Sequence, residues 1–222
     1  MGSITIAATY GAGGSVVGPA VAARLGLPFI ERAIPPSLAQ ELDQPLRAAL
    51  VDDAHHHGAV ARLLNRILGH AGLFVGIPTA PEELGAVTDV AQTEAVLRQV
   101  ADGTGAVILG RAGVFVLRGH PRTLHVRLDG PVEARRRAAM AHEGLDEETA
   151  ARVQQQTDRA RRAYVEHFYP NARAWEDIRH YHLVLDSTAI PLDTCVDVIV
   201  QAAQSLFAGP VPVTEPLPLT DR

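Results

Sequence analysis

The stretch "IAATYGAGGSVVG" (residues 6–18) sets a phosphate-binding pattern beside a departure from it. An apolar, β-branched run leads to Gly11, Gly13 and Gly14, then to Ser15 and a helical sequence. Glycines let backbone N–H groups approach phosphate oxygens, and a helix N-terminus adds a favourable dipole. Laid on the general pattern G-x-x-x-x-G-K-[ST], Ala8 takes the first Gly position and Gly13 the second. Gly14 takes the Lys position, and Ser15 the hydroxyl position from which Mg²⁺ would be ligated. Gly11, Ala12, Gly13, Gly14 and Ser15 are therefore the candidate phosphate cradle. All 20 basic residues of the chain are Arg, so no lysine elsewhere can replace the one missing at 14.

Three further stretches carry groups suited to phosphate chemistry. In "VILGRAG" (107–113) an arginine follows directly on an apolar strand. This places Arg111 at the carboxyl edge of a sheet, where α/β folds bind ligands and a guanidinium can grip a phosphate with two hydrogen bonds. In "TDRARRAY" (157–164), Arg159 and Arg162 are three apart and can share a helix face, with Asp158 close enough to pair with Arg161 or Arg162. Positioned cations of this kind stabilise the spread charge of phosphoryl transfer; the competing reading is a solvated basic face. In "HLVLDST" (182–188), Asp186, Ser187 and Thr188 follow a strand, and the expectation for them is turn capping. "ARRRAAM" (134–140) reads as a solvated face. The triple histidine 55–57 lies in a helical pattern whose neighbouring side chains fan apart, which is poor metal geometry. Trp175, Tyr164, Phe168, Tyr169 and Cys195 read as packing residues.

These groups need elements to hold them. "SITIAATYG" (3–11) reads as a first strand. Residues 15–26 read as a helix with Pro19 in its first turn and Gly26 as its stop. "LPFIER" (27–32) reads as a short second strand. Residues 37–72 and 80–102 are helical in pattern. The run from 105 starts as a strand apolar on both faces, which suits the inside of a parallel sheet. Residues 122–130 read as a strand, and 131–144 as a helix opened by Pro131. A long helix started by Asp146 covers 145–169. Residues 181–188 read as another buried strand and 191–207 as a closing amphipathic helix. Alternation of this kind predicts a mostly parallel α/β sheet of about five strands with helices on both faces.

Composition narrows the function. The chain has 222 residues, 47 % of them apolar, with one cysteine and a net charge of −5. That charge disfavours nucleic acid as a partner. No run approaches the ~18 apolar residues of a membrane span. The opening residues read as a strand rather than an export segment, and the lone cysteine suits a reducing compartment, so a cytoplasmic location is expected. A Pro-rich tail closes the sequence at 209–222.

In this order, "YGAGG", "VILGRAG", "GLDEETAARVQQQTDRARRAYVEHFY" and "LVLDSTAIPLDTCVDVIVQAA" resemble the cytidylate kinase-like group of P-loop nucleoside monophosphate kinases. The resemblance runs over about 3–207 and is least clear over 36–102. It implies one three-layer P-loop NTPase-like domain over 1–208, with a helical acceptor-binding insert at 36–102 and an Arg-rich lid at 144–172. It implies ATP and Mg²⁺ as donor and cofactor, and CMP, dCMP or a related small molecule as acceptor. By position, Gly11, Gly13, Gly14 and Ser15 would cradle the donor phosphates and Arg111 would hold the acceptor monophosphate. Arg159 and Arg162, oriented by Asp158, would bridge the two. Glu31 and Arg32 would contribute to the acceptor site.

Three departures set rival readings beside that one. True cytidylate kinases carry the loop lysine and tend to place an acidic residue before the strand-edge Gly-Arg, where Gly14 and Leu109 stand here; the cytidylate kinase-like group often has a "GSGG" type loop without the lysine, typically with an Arg next, where Ser15 stands here. Asp129 or Asp186 is the candidate to replace that carboxylate. Losing one electrostatic stabiliser of this kind costs about 3–4 kcal/mol of barrier. A catalytically inactive nucleotide-binding or regulatory module is thus the first rival. A kinase for a non-nucleotide metabolite is the second.

Overall fold

The computed structural model describes residues 2–31, 90–110, 112–170, 172 and 174–209. Arg32, His55–His57, most of 36–102, Arg111 and the Pro-rich tail beyond Gly209 lie outside them. Almost all described residues belong to one unit, made of 1–32 and 96–222.

The chain runs β1 (Ser3–Ala8), α1 (Gly14–Leu25), β2 (Phe29–Glu31), α2 (Val90–Asp102), β3 (Val107–Leu109) and α3 (Gly113–Val116). It continues with β4 (Thr123–Asp129), α4 (Val132–Glu143), α5 (Glu147–Phe168), a 3₁₀ turn (Ile178–His180), β5 (Leu183–Asp186) and α6 (Leu192–Ala208). The five strands form one parallel sheet in the order β2-β3-β1-β4-β5. Strand order reverses at β1, whose neighbours are β3 on one side and β4 on the other. A crevice therefore opens at the carboxyl end of β1, the place where open α/β sheets bind ligands.

One face of the sheet is apolar. Ile4 and Ile6 of β1 lie beside Leu124 and Val126 of β4 in register. They pack with Val17 and Val21 of α1 and with Cys195 and Ile199 of α6. Each such side chain contributes about 1.5–3 kcal/mol on burial. The other face is polar yet buried: Thr5 of β1 and His125 and Arg127 of β4 are all under a tenth exposed. Thr5 Oγ1 meets His125 Nδ1 at 2.7 Å. The Arg127 guanidinium lies over the Trp175 ring, 4.3 Å from its centroid, and donates to the Trp175 carbonyl and to Asp129. Alternation along "TLHVRLD" thus separates two kinds of core, the second held by hydrogen bonds and ion pairs.

Three expectations need correcting. α1 starts at Gly14, directly on the loop, so Pro19 lies inside the helix and not in its first turn. It leaves the Ser15 carbonyl without its usual i+4 donor. Pro131 caps α4 from just outside instead of opening it. β5 is an edge strand with Val184 and Asp186 exposed, so it is not buried on both faces. β3 matches its apolar sequence, being buried throughout. Asp146 caps α5 as its position suggests, accepting from the Thr149 N–H at 2.8 Å. No helix among the described residues is long and apolar enough to cross a membrane.

Candidate functional site

The segment from Thr9 to Gly13 turns from β1 into α1 at the strand-order reversal. Gly11 and Gly13 adopt φ of +77° and +72°, the left-handed region that glycine reaches without strain. Gly11 has a second reason to be glycine, because a Cβ there would lie 2.1 Å from the Arg135 carbonyl oxygen.

The carbonyls of this segment are held from outside by side chains. Arg161 Nη1 donates to Ala8 O at 2.8 Å, Arg135 Nη1 to Tyr10 O at 2.7 Å, and Ser187 Oγ to Ala12 O at 2.8 Å. The Tyr10 N–H donates to Asp158 Oδ1 at 3.0 Å, and the Tyr10 hydroxyl to Glu143. The N–H groups of Gly11, Gly13, Gly14 and Ser15 find no acceptor among the described residues. With alternate carbonyls tied down and the intervening N–H groups open, the segment has the make-up of an anion-binding nest at a helix N-terminus.

Asp158 is at the centre of the support. Its second oxygen accepts from Arg135 Nη1 at 2.9 Å. The expected pairing of Asp158 with Arg161 or Arg162 is replaced by contacts to Tyr10 and Arg135. Asp158 faces the loop, where a peptide N–H and a buried guanidinium satisfy it. Arg159 is exposed, and Arg162 pairs with Glu176 at 2.9 Å. The arginine of this stretch of α5 that is buried is Arg161, about 5 % exposed. Arg135, read from sequence as part of a solvated run, is buried; Arg137 beside it is exposed.

Asp129 ends β4 and accepts from Thr9 Oγ1 at 2.8 Å, from the Gly130 N–H at 2.9 Å and from Arg127. Burial works to raise its carboxyl, but the Arg127 charge and these hydrogen bonds hold it below its ordinary value. Asp186 caps its own turn through the Thr188 and Ala189 N–H groups, as expected. Glu31 ends β2 at the same carboxyl edge, opposite Leu109. Among the described residues no group of three or more His, Cys, Asp and Glu gathers to hold a metal. Ser15, the residue expected to ligate Mg²⁺, lies in the first turn of α1; Mg²⁺ at phosphate sites is held largely by phosphate oxygens and water, so one protein hydroxyl fits that role.

The sequence did not single out Arg135 or Tyr10 as site residues; it named Arg161 only as a pairing partner for Asp158, and Asp129 only as a stand-in for the missing acidic residue. For Arg161 a signal existed. Ala150, Val153, Gln154, Thr157, Arg161 and Tyr164 fall on one buried helical stripe, while Arg159 and Arg162 fall off it. The Arg135 signal is weaker, a spacing of four from buried Ala139.

The loop geometry predicts a graded response to alanine. Gly11→Ala is expected to cost at least about 1–3 kcal/mol from its φ alone, and more from the clash with Arg135. Gly26 also has positive φ, +64°, but open space around its Cβ, so Gly26→Ala reports the φ cost without a clash. Thermal melts of the two variants check this. Equal losses would show that the loop backbone does not press on α4.

Comparison with known proteins gives the context for this geometry. A family model described as the cytidylate kinase-like family matches residues 3–189. No curated protein matches the sequence. An uncharacterized protein from Eubacterium ventriosum shares the fold, with a TM-score of 0.61, 19 % identity, and coverage of 92 % of this chain and 99 % of that one. Also similar are a gluconokinase from Sinorhizobium meliloti (TM-score 0.47, 17 % identity, 92 % and 93 % covered) and a shikimate kinase from Acinetobacter baumannii (0.45, 16 %, 92 % and 94 %). The family match spans the loop, the sheet and the Arg-bearing helix, and by it this chain belongs to the cytidylate kinase-like family.

Proposed function

We propose that the chain is a kinase-type phosphotransferase that moves the γ-phosphoryl group of ATP to CMP, dCMP or a related small acceptor. The observation that carries this reading is the loop, whose carbonyls are clamped while four N–H groups at the strand-order reversal find no acceptor among the described residues. Membership of the cytidylate kinase-like family supports it.

In this reading Gly11, Ala12, Gly13, Gly14 and Ser15 hold the donor phosphates through backbone N–H groups. Mg²⁺, with Ser15 as its protein ligand, supplies charge neutralisation on those phosphates. Arg111 grips the acceptor phosphate, with Glu31 and Arg32 lining the acceptor side. Arg159 and Arg162 bring cations from the lid. Asp158 acts as a positioning residue, fixing Tyr10 and Arg135. Catalysis then rests on in-line placement and electrostatics, as phosphoryl transfer requires. The protein would work in the cytoplasm on small molecules.

A second reading has a specific observation behind it. Gly14 stands at the lysine position, in a chain with no lysine. That favours a module that binds nucleotide without turning it over.

Diphosphate formation from MgATP with CMP, dCMP, UMP and AMP, supplied separately, tests both. Turnover on CMP that Arg111→Ala lowers by ~10²-fold or more is the expected result. ATP binding with no turnover on any acceptor would favour the binding module. Turnover confined to non-nucleotide acceptors would move the substrate and keep the chemistry.

A further inference from the structure

β5 is the outermost strand of the sheet, with β4 on one side and no strand on the other among the described residues. The ladder decides which of its peptide groups face outward. Leu128 of β4 gives its carbonyl to Thr9 at the end of β1, and Asp129 gives its carbonyl to Ser187 after β5. With Asp129 in register beside Asp186, this turns the peptide groups of Leu183, Leu185 and Ser187 towards β4. Val184 and Asp186 turn theirs away from the sheet. Side chains alternate in the same step. Leu183 and Leu185 join the apolar core, while His182, Val184 and Asp186 are exposed.

An outer strand with an open ladder is a template for another strand unless charge, proline or a bulge guards it. The outward residue at the middle of this edge is instead Val184, 43 % exposed. The polar residues on either side of Val184 complement each other. His182 Nδ1 accepts the His125 N–H at 3.1 Å, so the neutral ring carries its proton on Nε2 and offers a donor. Asp186 is an acceptor; its Oδ1 serves its own turn, which leaves Oδ2. "HLVLD" (182–186) is thus complementary to itself read in the opposite direction.

A two-fold axis at Val184 uses each of these features. The two Val184 residues exchange both N–H···O=C bonds, Leu183 faces Leu185 of the second copy, and His182 faces Asp186 of the second copy. The His182 N–H already donates to the His125 carbonyl and the Asp186 carbonyl already accepts from Ile190, so the pairing orphans neither. Neighbouring registers are worse. An axis at Asp186 opposes two carboxylates, and one at Leu185 sets Asp186 against Val184. So short a strand buries too little for an obligate dimer, and association therefore depends on concentration.

We propose that the outer edge of β5 pairs with the same edge of a second copy of this chain, antiparallel about a two-fold axis at Val184, joining the two sheets into one.

Sedimentation velocity of the full chain over a range of concentrations is expected to show monomer passing to dimer. Val184→Pro deletes the outward N–H and spares the β4 ladder, because that N–H does not face β4. It is expected to weaken dimerisation by at least ~10-fold. A wild-type chain that stays monomeric at every concentration would overturn the proposal. So would a folded Val184→Pro protein that dimerises like the wild type, since the copies would then meet elsewhere. Cysteine cross-linking reads the register. Residues paired in this way lie about 5.5 Å apart at Cα, within disulfide reach. Val184→Cys should link two chains on mild oxidation, and Val132→Cys, at a position 47 % exposed on α4, should not. The native Cys195 is buried. If Val184→Pro does not fold, this comparison decides: linkage at 184 alone supports the pairing, and no linkage at 184, or equal linkage at both positions, overturns it.

Discussion

Replacing Arg135 by alanine is expected to lower the unfolding free energy by about 3–5 kcal/mol and to weaken the loop's grip on phosphate. Arg135 is buried, and its guanidinium makes three good hydrogen bonds: to Gly130 O at 3.0 Å, to Tyr10 O at 2.7 Å and to Asp158 at 2.9 Å. Truncation leaves a part-buried carboxylate without its cation and a loop carbonyl without its donor. Breaking a buried pair costs more than the pair contributes, because the desolvated partner stays behind. Against a total stability of about 5–15 kcal/mol, the loss is large. The functional effect follows from Tyr10 O: once released, the Tyr10–Gly11 peptide can turn and present its carbonyl where the nest needs an N–H. Urea unfolding and ATP titration read the two effects. Arg137→Ala, two residues on and exposed, should stay within about 0.5 kcal/mol of the wild type. An Arg135→Ala variant as stable as Arg137→Ala would show that the loop is held by other means. Asp158→Asn in the Arg135→Ala background should cost less than in the wild type, since the charge it removes has already lost its partner.

The second large effect is acid sensitivity centred on His125. Burial is the first cause that pushes its imidazole down, to about 3, and His182, Arg118, His120 and His180 add to it. The neighbouring contacts suit a neutral ring: Thr5 Oγ1 lies 2.7 Å from Nδ1, and the His182 ring packs 5.0 Å away. The unfolded chain takes up a proton near the ordinary value of about 6.5, while the folded chain does not until about 3. Stability is therefore full above pH 6.5 and is lost as pH falls towards 3, in total about 5 kcal/mol from this group. About 2 kcal/mol of it should be gone by pH 5. Urea unfolding at pH 7.5, 6 and 5 measures the slope. His125→Gln keeps a polar partner for Thr5 without titrating, and should flatten that limb. Parallel limbs in the two proteins would assign the acid loss to other groups.

How much of this was legible beforehand depends on what each feature needs. The parallel sheet was legible because its strands carry their own pattern: "VIL" is apolar on both faces, and "TLHVRLD" alternates. The loop was legible because three glycines between a strand and a helix leave few alternatives, and Gly11 and Gly13 do adopt the left-handed backbone that only glycine takes readily. These are local features, set by backbone sterics within a few residues. Arg161 stood at the margin: its place on the buried stripe of α5 was readable, but the choice of Arg159 and Arg162 went by charge spacing rather than by which face is buried.

The support of the loop belongs to tertiary structure alone. Asp158 reaches Tyr10 across 148 residues of sequence, Arg135 reaches it across 125, and Ser187 reaches Ala12 across 175. No local rule links those positions, and each side chain has a respectable solvated alternative. Arginine shows the ambiguity most plainly. Its long stem lets it lie on a surface or carry a guanidinium into the interior, and the decision depends on whether a carbonyl or carboxylate waits there. The same holds for Gly14. By sequence it is a missing lysine. In the fold it is the residue that must be bare, because the end of β1 delivers the Ala8 methyl into the space a side chain would need. The sequence by itself determined the sheet, the helices and the glycine turn, since these rest on periodicity and backbone freedom. Which arginines face the loop, and why position 14 is empty of a side chain, was decided only when distant strands and helices packed and brought their polar groups within hydrogen-bonding reach.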